Sequence, residues 1–276
     1  MDILTAVIYG VIQGLSEFLP VSSSGHLALL PFFMELKDPG VVFDLCMHMG
    51  TALAVVIYFR VWIMRLLTQF VPAITNLKTQ QAEHHFIRNF ILSTFVSVLI
   101  IFCLRPLADY GRNPWFIAFN QAFFGILLWV ADVQQRKNAL PNRTDGFFSQ
   151  GWKFFDAALI GMAQAIAIFP GVSRSGVTMS AAFIRGIDRK EAGAFSFLLS
   201  LPVIFGGVIL EVPAIKDALA TGEQSWAILS TGVITSFIVG FLTIHFFMKL
   251  ISRIHLGWFT GYRLFLALLL VVMLLN

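Results

Sequence analysis

Residues 10–32 recur without a gap 151 positions later, and the two copies agree at eight of 23 positions. The identities are Gly10/Gly161, Gln13/Gln164, Phe18/Phe169, Val21/Val172, Ser22/Ser173, Ser24/Ser175, Gly25/Gly176 and Phe32/Phe183. In each copy an apolar segment is cut at the same point. The first cut reads Pro20-Val21-Ser22-Ser23-Ser24-Gly25-His26, the second Phe169-Pro170-Gly171-Val172-Ser173-Arg174-Ser175-Gly176. A chance match among apolar residues would not place Ser-x-Ser-Gly in register twice, so the chain contains an internal repeat. Proline has no N–H to give and glycine disfavours the helix, so each copy reads as two half-helices joined by a break. Each half is too short to cross a bilayer. Such breaks persist at membrane depth only where the freed backbone is buried in protein or lines a polar cavity. We therefore expect two re-entrant hairpins, at 2–34 and 153–187.

Six other stretches, at about 41–60, 87–105, 115–132, 192–212, 227–248 and 258–275, are nearly uncharged and long enough for a hydrocarbon core about 30 Å thick. The whole chain is 58% hydrophobic and 12% charged, where a soluble domain carries about 25% charge. The bilayer must therefore be the solvent for much of it. Polar links at Gln80–His85, Gln134–Gly146 (with Pro-Asn-Arg-Thr-Asp-Gly) and Asp217–Glu223 read as loops. Three spanning stretches, an odd number, separate the copies, so the second hairpin enters from the opposite leaflet. The expected fold is an all-α polytopic membrane protein: one domain over 1–276, with six transmembrane helices and two re-entrant hairpins. Its inverted-topology repeats cover about 1–105 and 152–248, and in such folds broken helices meet near the midplane around the binding site.

Lys and Arg set the expected orientation. Of 19, fourteen fall on one side, among them Arg60, Arg65, Lys78, Arg88, Arg136, Arg143, Arg189 and Arg263; four, Lys37, Arg105, Arg112 and Lys216, fall on the other. Arg174 lies in the second break. The positive side belongs in the cytoplasm, which puts both termini and the opening of the first hairpin outside. Asp2 stands where a signal peptide would be basic, so the N-terminus is expected to belong to the mature protein. There is no basic patch interleaved with aromatics and no Cys/His finger, hence no case for nucleic acid. Cys46 and Cys103 read as small hydrophobes.

Glu17 and Arg174 are the two charges placed deep in protein, and an intramembrane charge is a functional-site hypothesis unless it only clamps elements together. The surrounding hydroxyls go beyond a clamp. Ser22, Ser23 and Ser24 precede Gly25, and Ser173 and Ser175 flank Arg174 before Gly176, each set at the start of a second half-helix. Unpaired amides at a helix start attract anions, glycine permits close approach, and guanidinium matches phosphate bidentately. The serines serve equally as N-caps. His26 lies three residues from Ser23 and four from Ser22, so its imidazole is expected to face one of those hydroxyls. Gln13, one turn before Glu17, shares its face. Glu17 and His26 are candidates to activate a nucleophile or protonate a leaving group, with Arg174 neutralising phosphoryl charge. One carboxylate and one glutamine make no dedicated metal box, so no tightly bound cofactor is expected. Mg²⁺ or Ca²⁺ dependence through substrate phosphates is left open. His84-His85 reads as solvated loop. His48, His245 and His255 read as packing or interface residues, the glycines as points of close helix approach, and Asp44 and Asp156 as ambiguous.

The stretches from Gln13 to His26 (QGLSEFLPVSSSGH) and from Pro170 to Thr178 (PGVSRSGVT) resemble those of the undecaprenyl-diphosphate phosphatase family, of the BacA/UppP type linked to bacitracin resistance, and the likeness runs essentially end to end. The resemblance implies hydrolysis of undecaprenyl diphosphate to undecaprenyl phosphate and inorganic phosphate, recycling the lipid carrier of peptidoglycan synthesis in the bacterial inner membrane. It implies Glu17 as the motif acid, Ser23 as the proposed nucleophile, His26 as the motif histidine and Arg174 as the phosphate-binding arginine. Gln13, Ser22, Ser24, Gly25, Ser173, Ser175, Gly176 and Thr178 are then expected to bind substrate. Members carry Glu or Gln at the position of Gln13, so this chain has the neutral version, which weakens any two-carboxylate mechanism. Expected partners are undecaprenyl diphosphate and membrane lipid, with a homodimer left open.

The residues alone favour a phosphorylated ligand with an apolar part in the membrane. They leave the nucleophile open among Ser23, His26 and water. A transporter or flippase of polyprenyl phosphates would use the same architecture, and a noncatalytic scaffold would make Arg174 structural. The Glu17/Ser23/His26 set exceeds what phosphate binding alone requires.

Overall fold

The computed structural model describes residues 1–34, 39–77, 81–137, 152–222 and 224–275. Over these residues the chain is helical: α1 (Ile3–Ser16), α2 (Ser23–Met34), α3 (Gly40–Tyr58), α4 (Arg60–Thr75), α5 (Ala82–Leu104), a 3-10 stretch (Arg105–Arg112), α6 (Pro114–Lys137), α7 (Phe154–Ile166), α8 (Arg174–Ile184), α9 (Arg189–Ala220), α10 (Trp226–Leu250) and α11 (Gly257–Leu275). Six of them, α3, α5, α6, α9, α10 and α11, are long and apolar enough to cross a membrane. The expected loop at 134–146 lies largely outside the described residues, as do Lys37, Lys78, Arg143 and Glu223.

The breaks fall where the sequence places them, between α1 and α2 and between α7 and α8. Each first half-helix packs along the last long helix of the other copy, α1 on α10 and α7 on α5. The equivalent glycines make both contacts. A Cβ on Gly10 would lie 2.7 Å from Thr235 Cβ, and one on Gly161 would lie 2.5 Å from the Ser93 carbonyl oxygen. The two copies are thus interlocked, and each hairpin is seated by the other's helix.

α6 and α11 pack together outside the repeats and hold both breaks. On α6, Asn120 Nδ2 donates to the Pro170 carbonyl (2.9 Å) and Gln121 Nε2 to the Val21 carbonyl (3.1 Å). From α11, the fully buried Arg263 donates to the carbonyls of Pro20, Gly171, Val172, Asn120 and Gln121 at 2.7–3.2 Å. Backbone released by a helix break must find partners in a dry interior, and here one guanidinium and two amides supply them. Arg263 is therefore not an interface cation, as its place in the charge count had it, and the balance becomes thirteen against four.

Other differences share one cause. Charge marks where hydrocarbon ends, not where a helix ends. Helix α6 continues through Arg136 and Lys137, and α9 continues past Asp217 to Ala220. Helix α5 begins at Ala82, so His84 is buried in a helix, with Nε2 3.3 Å from Gln69 Oε1, rather than solvated in a loop. Helix α4 has no counterpart among the expected segments: its 16 residues are too few to span and carry Arg60 and Arg65. Asp156 is a tie across the second hairpin. It accepts from Arg185 Nε (2.5 Å) and from the Lys153 amide (2.9 Å).

Candidate active site

Ser22 and Ser173 turn the chain in the two breaks with positive φ, 75° and 70°. Each side chain accepts from the amide three residues on, Gly25 (3.3 Å) and Gly176 (3.1 Å). Each also meets the serine two residues on, Ser24 and Ser175, at 3.4 Å. The serines are therefore caps, and they use up two amides that an anion was expected to take. Ser22 Oγ also accepts from the Gly171 amide (3.1 Å), and Ser175 Oγ donates to the Leu19 carbonyl (3.2 Å), so each break binds the other. Gly25 lies against the second break, where a Cβ would be 3.2 Å from the Gly171 nitrogen. Thr178 Oγ1 is turned to the Arg174 carbonyl (2.7 Å) and Ser196 Oγ (2.6 Å). Ser22, Ser175, Gly25, Gly176 and Thr178 thus build the frame.

The frame encloses a cavity of about 150 Å³ lined by Ser16, Glu17, Ser23, Ser24, His48, Ala167, Ser173, Arg174, Val203 and Ile204. That equals about five water volumes, room for a phosphoryl group. On its wall Glu17 gathers the polar side chains. Ser23 Oγ donates to Glu17 Oε2 in a short contact. Gln13 Nε2 reaches the same oxygen at 3.1 Å and Thr51 Oγ1 at 3.4 Å. Arg174 Nη2 donates to Oε1 at 2.6 Å. Arg174 Nη1 is buried without a partner, which leaves a charged donor facing unmet demand. The amides of Ser23, Ser24 and Ser175 lie in first helical turns, where no intrahelical acceptor exists.

The sequence expectation for His26 is corrected. Its Nδ1 is 2.7 Å from the Ser22 carbonyl oxygen and its Nε2 is 2.7 Å from Tyr262 Oη, with the two rings stacked at 4°. The imidazole thus faces a carbonyl and a phenol rather than a serine hydroxyl, because four residues along a helix start bring the ring over the backbone of Ser22. The histidine that enters the cavity is His48, expected only to pack. Its Nε2 lies 3.5 Å from Glu17 Oε2. Tyr262 and Arg263 are likewise site residues that sequence reasoning misses. His48 follows an ordinary apolar run, and Tyr262 and Arg263 lie more than 200 residues from the first break, so no local pattern joins them to it.

Both Glu17 oxygens already accept from protein donors, and among the described residues no three His, Cys, Asp or Glu side chains group together.

A family model described as bacitracin resistance protein BacA matches residues 6–269. Curated relatives similar over nearly their whole length include an undecaprenyl-diphosphatase of Rubrobacter xylanophilus, 37% identical over 279 residues (100% of this chain, 99% of the relative). Another, of Moorella thermoacetica, is 36% identical over 271 residues (98% and 97%). Undecaprenyl-diphosphatase 2 of Stutzerimonas stutzeri is 37% identical over 276 residues (99% and 98%).

Proposed function

The chain belongs to the BacA family of bacitracin resistance proteins, and we propose that it hydrolyses undecaprenyl diphosphate to undecaprenyl phosphate and inorganic phosphate in the bacterial cytoplasmic membrane. The observation that carries this reading is Arg174, whose Nη2 is committed to Glu17 while its buried Nη1 has no partner beside a phosphate-sized cavity. Guanidinium in such a setting favours an oxyanion with geometry to match.

In the mechanism we infer, the terminal phosphate of the substrate occupies the cavity, its oxygens on Arg174 and the free amides of the two helix starts. Ser23 Oγ attacks the terminal phosphorus. Its proton passes to Glu17 Oε2, the Oγ–P bond forms, and the P–O bond to the bridging oxygen breaks, releasing undecaprenyl phosphate with the electron pair. Water then cleaves the Ser23 phosphoester. The contact between Ser23 and Glu17 favours this pairing over one between Ser23 and His26. His26 and Tyr262 hold the Ser22 carbonyl and so position the serine turn. Any divalent ion would ride on the diphosphate oxygens, and no step above depends on it.

The two broken helices are read as re-entrant, with both termini and the first hairpin's mouth on the exterior face, from the charge balance of thirteen against four. A carrier of polyprenyl phosphates would need the arginine and the helix starts. It would not need a serine hydroxyl bonded to a buried carboxylate. Phosphate release from a C55 prenyl diphosphate by the purified protein tests the reading. Wild type should turn over and Arg174→Ala should lose about 100-fold or more; headgroup binding by folded wild type without release would contradict it.

A further inference from the structure

The reaction proposed above displaces two protons, one from Ser23 and one from the attacking water, and among the described residues Glu17 is the single carboxylate on the cavity wall. The residue one turn before it is Gln13, a neutral amide whose Nε2 donates to Glu17 and Thr51 and whose Oε1 is buried without a partner. An amide takes no proton. Among the residues lining the cavity the titratable side chains are Glu17, Arg174 and His48. Arginine stays protonated, so once Glu17 holds the serine proton, His48 is the group left to receive another. His26 is not in the wall, and both its nitrogens are engaged by the Ser22 carbonyl and Tyr262.

His48 is also oriented for the task. Its Nδ1 is 2.7 Å from the Asp44 carbonyl oxygen, one turn earlier on α3. A carbonyl only accepts, so Nδ1 carries the hydrogen, and the exchangeable position of the neutral ring is Nε2. That atom is the one aimed at the cavity, 3.5 Å from Glu17 Oε2. The separation is longer than a tight hydrogen bond and leaves both groups within reach of one ligand atom or water. A ring that only filled space on α3 would not need its tautomer fixed or its free nitrogen turned to the carboxylate.

Building on the phosphatase reading, we propose that His48 is the general base of the second half-reaction and a catalytic residue of this chain. The water oxygen bonds to phosphorus of the Ser23 phosphoester while the P–Oγ bond breaks. The water proton passes to His48 Nε2, the proton held on Glu17 returns to Ser23 Oγ, and the imidazolium gives its proton to the departing phosphate. His48 thereby does what a second carboxylate at position 13 would do in a chain that had one.

The test is steady-state turnover of C55 prenyl diphosphate by the full chain in detergent, with monodispersity and thermal unfolding checked for each variant. His48→Ala should lower kcat about 100-fold with KM little changed, and added imidazole should recover about tenfold. His48→Gln keeps the shape without the proton site and should stay low. Gln13→Glu in that background places a carboxylate one turn from Glu17 and should restore part of the turnover. His48→Gln with the wild-type kcat would overturn the inference alone. So would a folded, inactive His48→Ala that imidazole does not rescue together with an inactive Gln13→Glu/His48→Gln. Absence of phosphate release by the wild type would instead remove the phosphatase reading and this inference with it.

Discussion

Ser22 and Ser173, 151 residues apart, share a left-handed backbone conformation, with φ of 75° and 70°, and each caps the half-helix that follows it. A side chain at positive φ is uncommon and costs roughly 1–3 kcal/mol. Its occurrence twice at equivalent positions marks a conformation selected by the break itself, since it turns the chain from one half-helix to the next while keeping the hydroxyl on the Gly25 or Gly176 amide.

Alanine at either serine removes the cap and keeps the strain. Ser22→Ala and Ser173→Ala should each cost about 1–2 kcal/mol, and glycine at the same positions should cost less because φ is then free. Thermal unfolding in detergent checks the order, alanine below glycine below wild type.

The interlocking of the copies rests on two glycines. Gly161→Ala would drive a methyl to 2.5 Å from the Ser93 carbonyl oxygen, and overpacking against backbone should cost about 1–3 kcal/mol. Gly206, within α9, is different, for a Cβ added there would meet nothing within 4 Å. Gly206→Ala should therefore be neutral or stabilising by up to about 1 kcal/mol. The same unfolding assay separates the two.

Arg263 serves carbonyls from both breaks and from α6. Arg263→Met fills similar volume and leaves those carbonyls unpaired, which should cost at least about 2 kcal/mol. Arg263→Lys, a point donor without the planar fork, should recover only part. Turnover should fall with stability in both, because the cavity wall is hung on these carbonyls.

Tyr262 reaches the site through His26. Tyr262→Phe removes the partner of Nε2 and should cost roughly 0.5–1.5 kcal/mol, whereas His26→Ala also frees the Ser22 carbonyl (2.7 Å from Nδ1). Turnover should therefore drop further in His26→Ala than in Tyr262→Phe, a comparison that initial-rate kinetics settles.

The parts of the fold legible in the sequence are those written locally. The two breaks, the repeat and the six long apolar helices follow from spacing and uninterrupted hydropathy. Gln13, Glu17, Ser23 and Arg174 are legible because short motifs hold them, and the structure brings these four together. His48 and Tyr262 reach the site from α3 and α11, where apolar sequence gives a polar side chain no address. Arg263 sits near a segment end and reads as an interface charge; only the packed α11 shows it among the breaks. His26 shows the opposite limit: spacing puts it near the right residue, but the backbone rather than the hydroxyl is the partner.

In the proposed mechanism Ser23, activated by Glu17 and faced by Arg174, takes the terminal phosphoryl group of the substrate. Rapid acid quench with substrate labelled on that phosphate, followed by peptide mapping, tests it most directly. Transient label should appear on Ser23 and be lost in Ser23→Ala along with turnover. Full turnover by Ser23→Ala, with no labelled serine in the wild type, would contradict it.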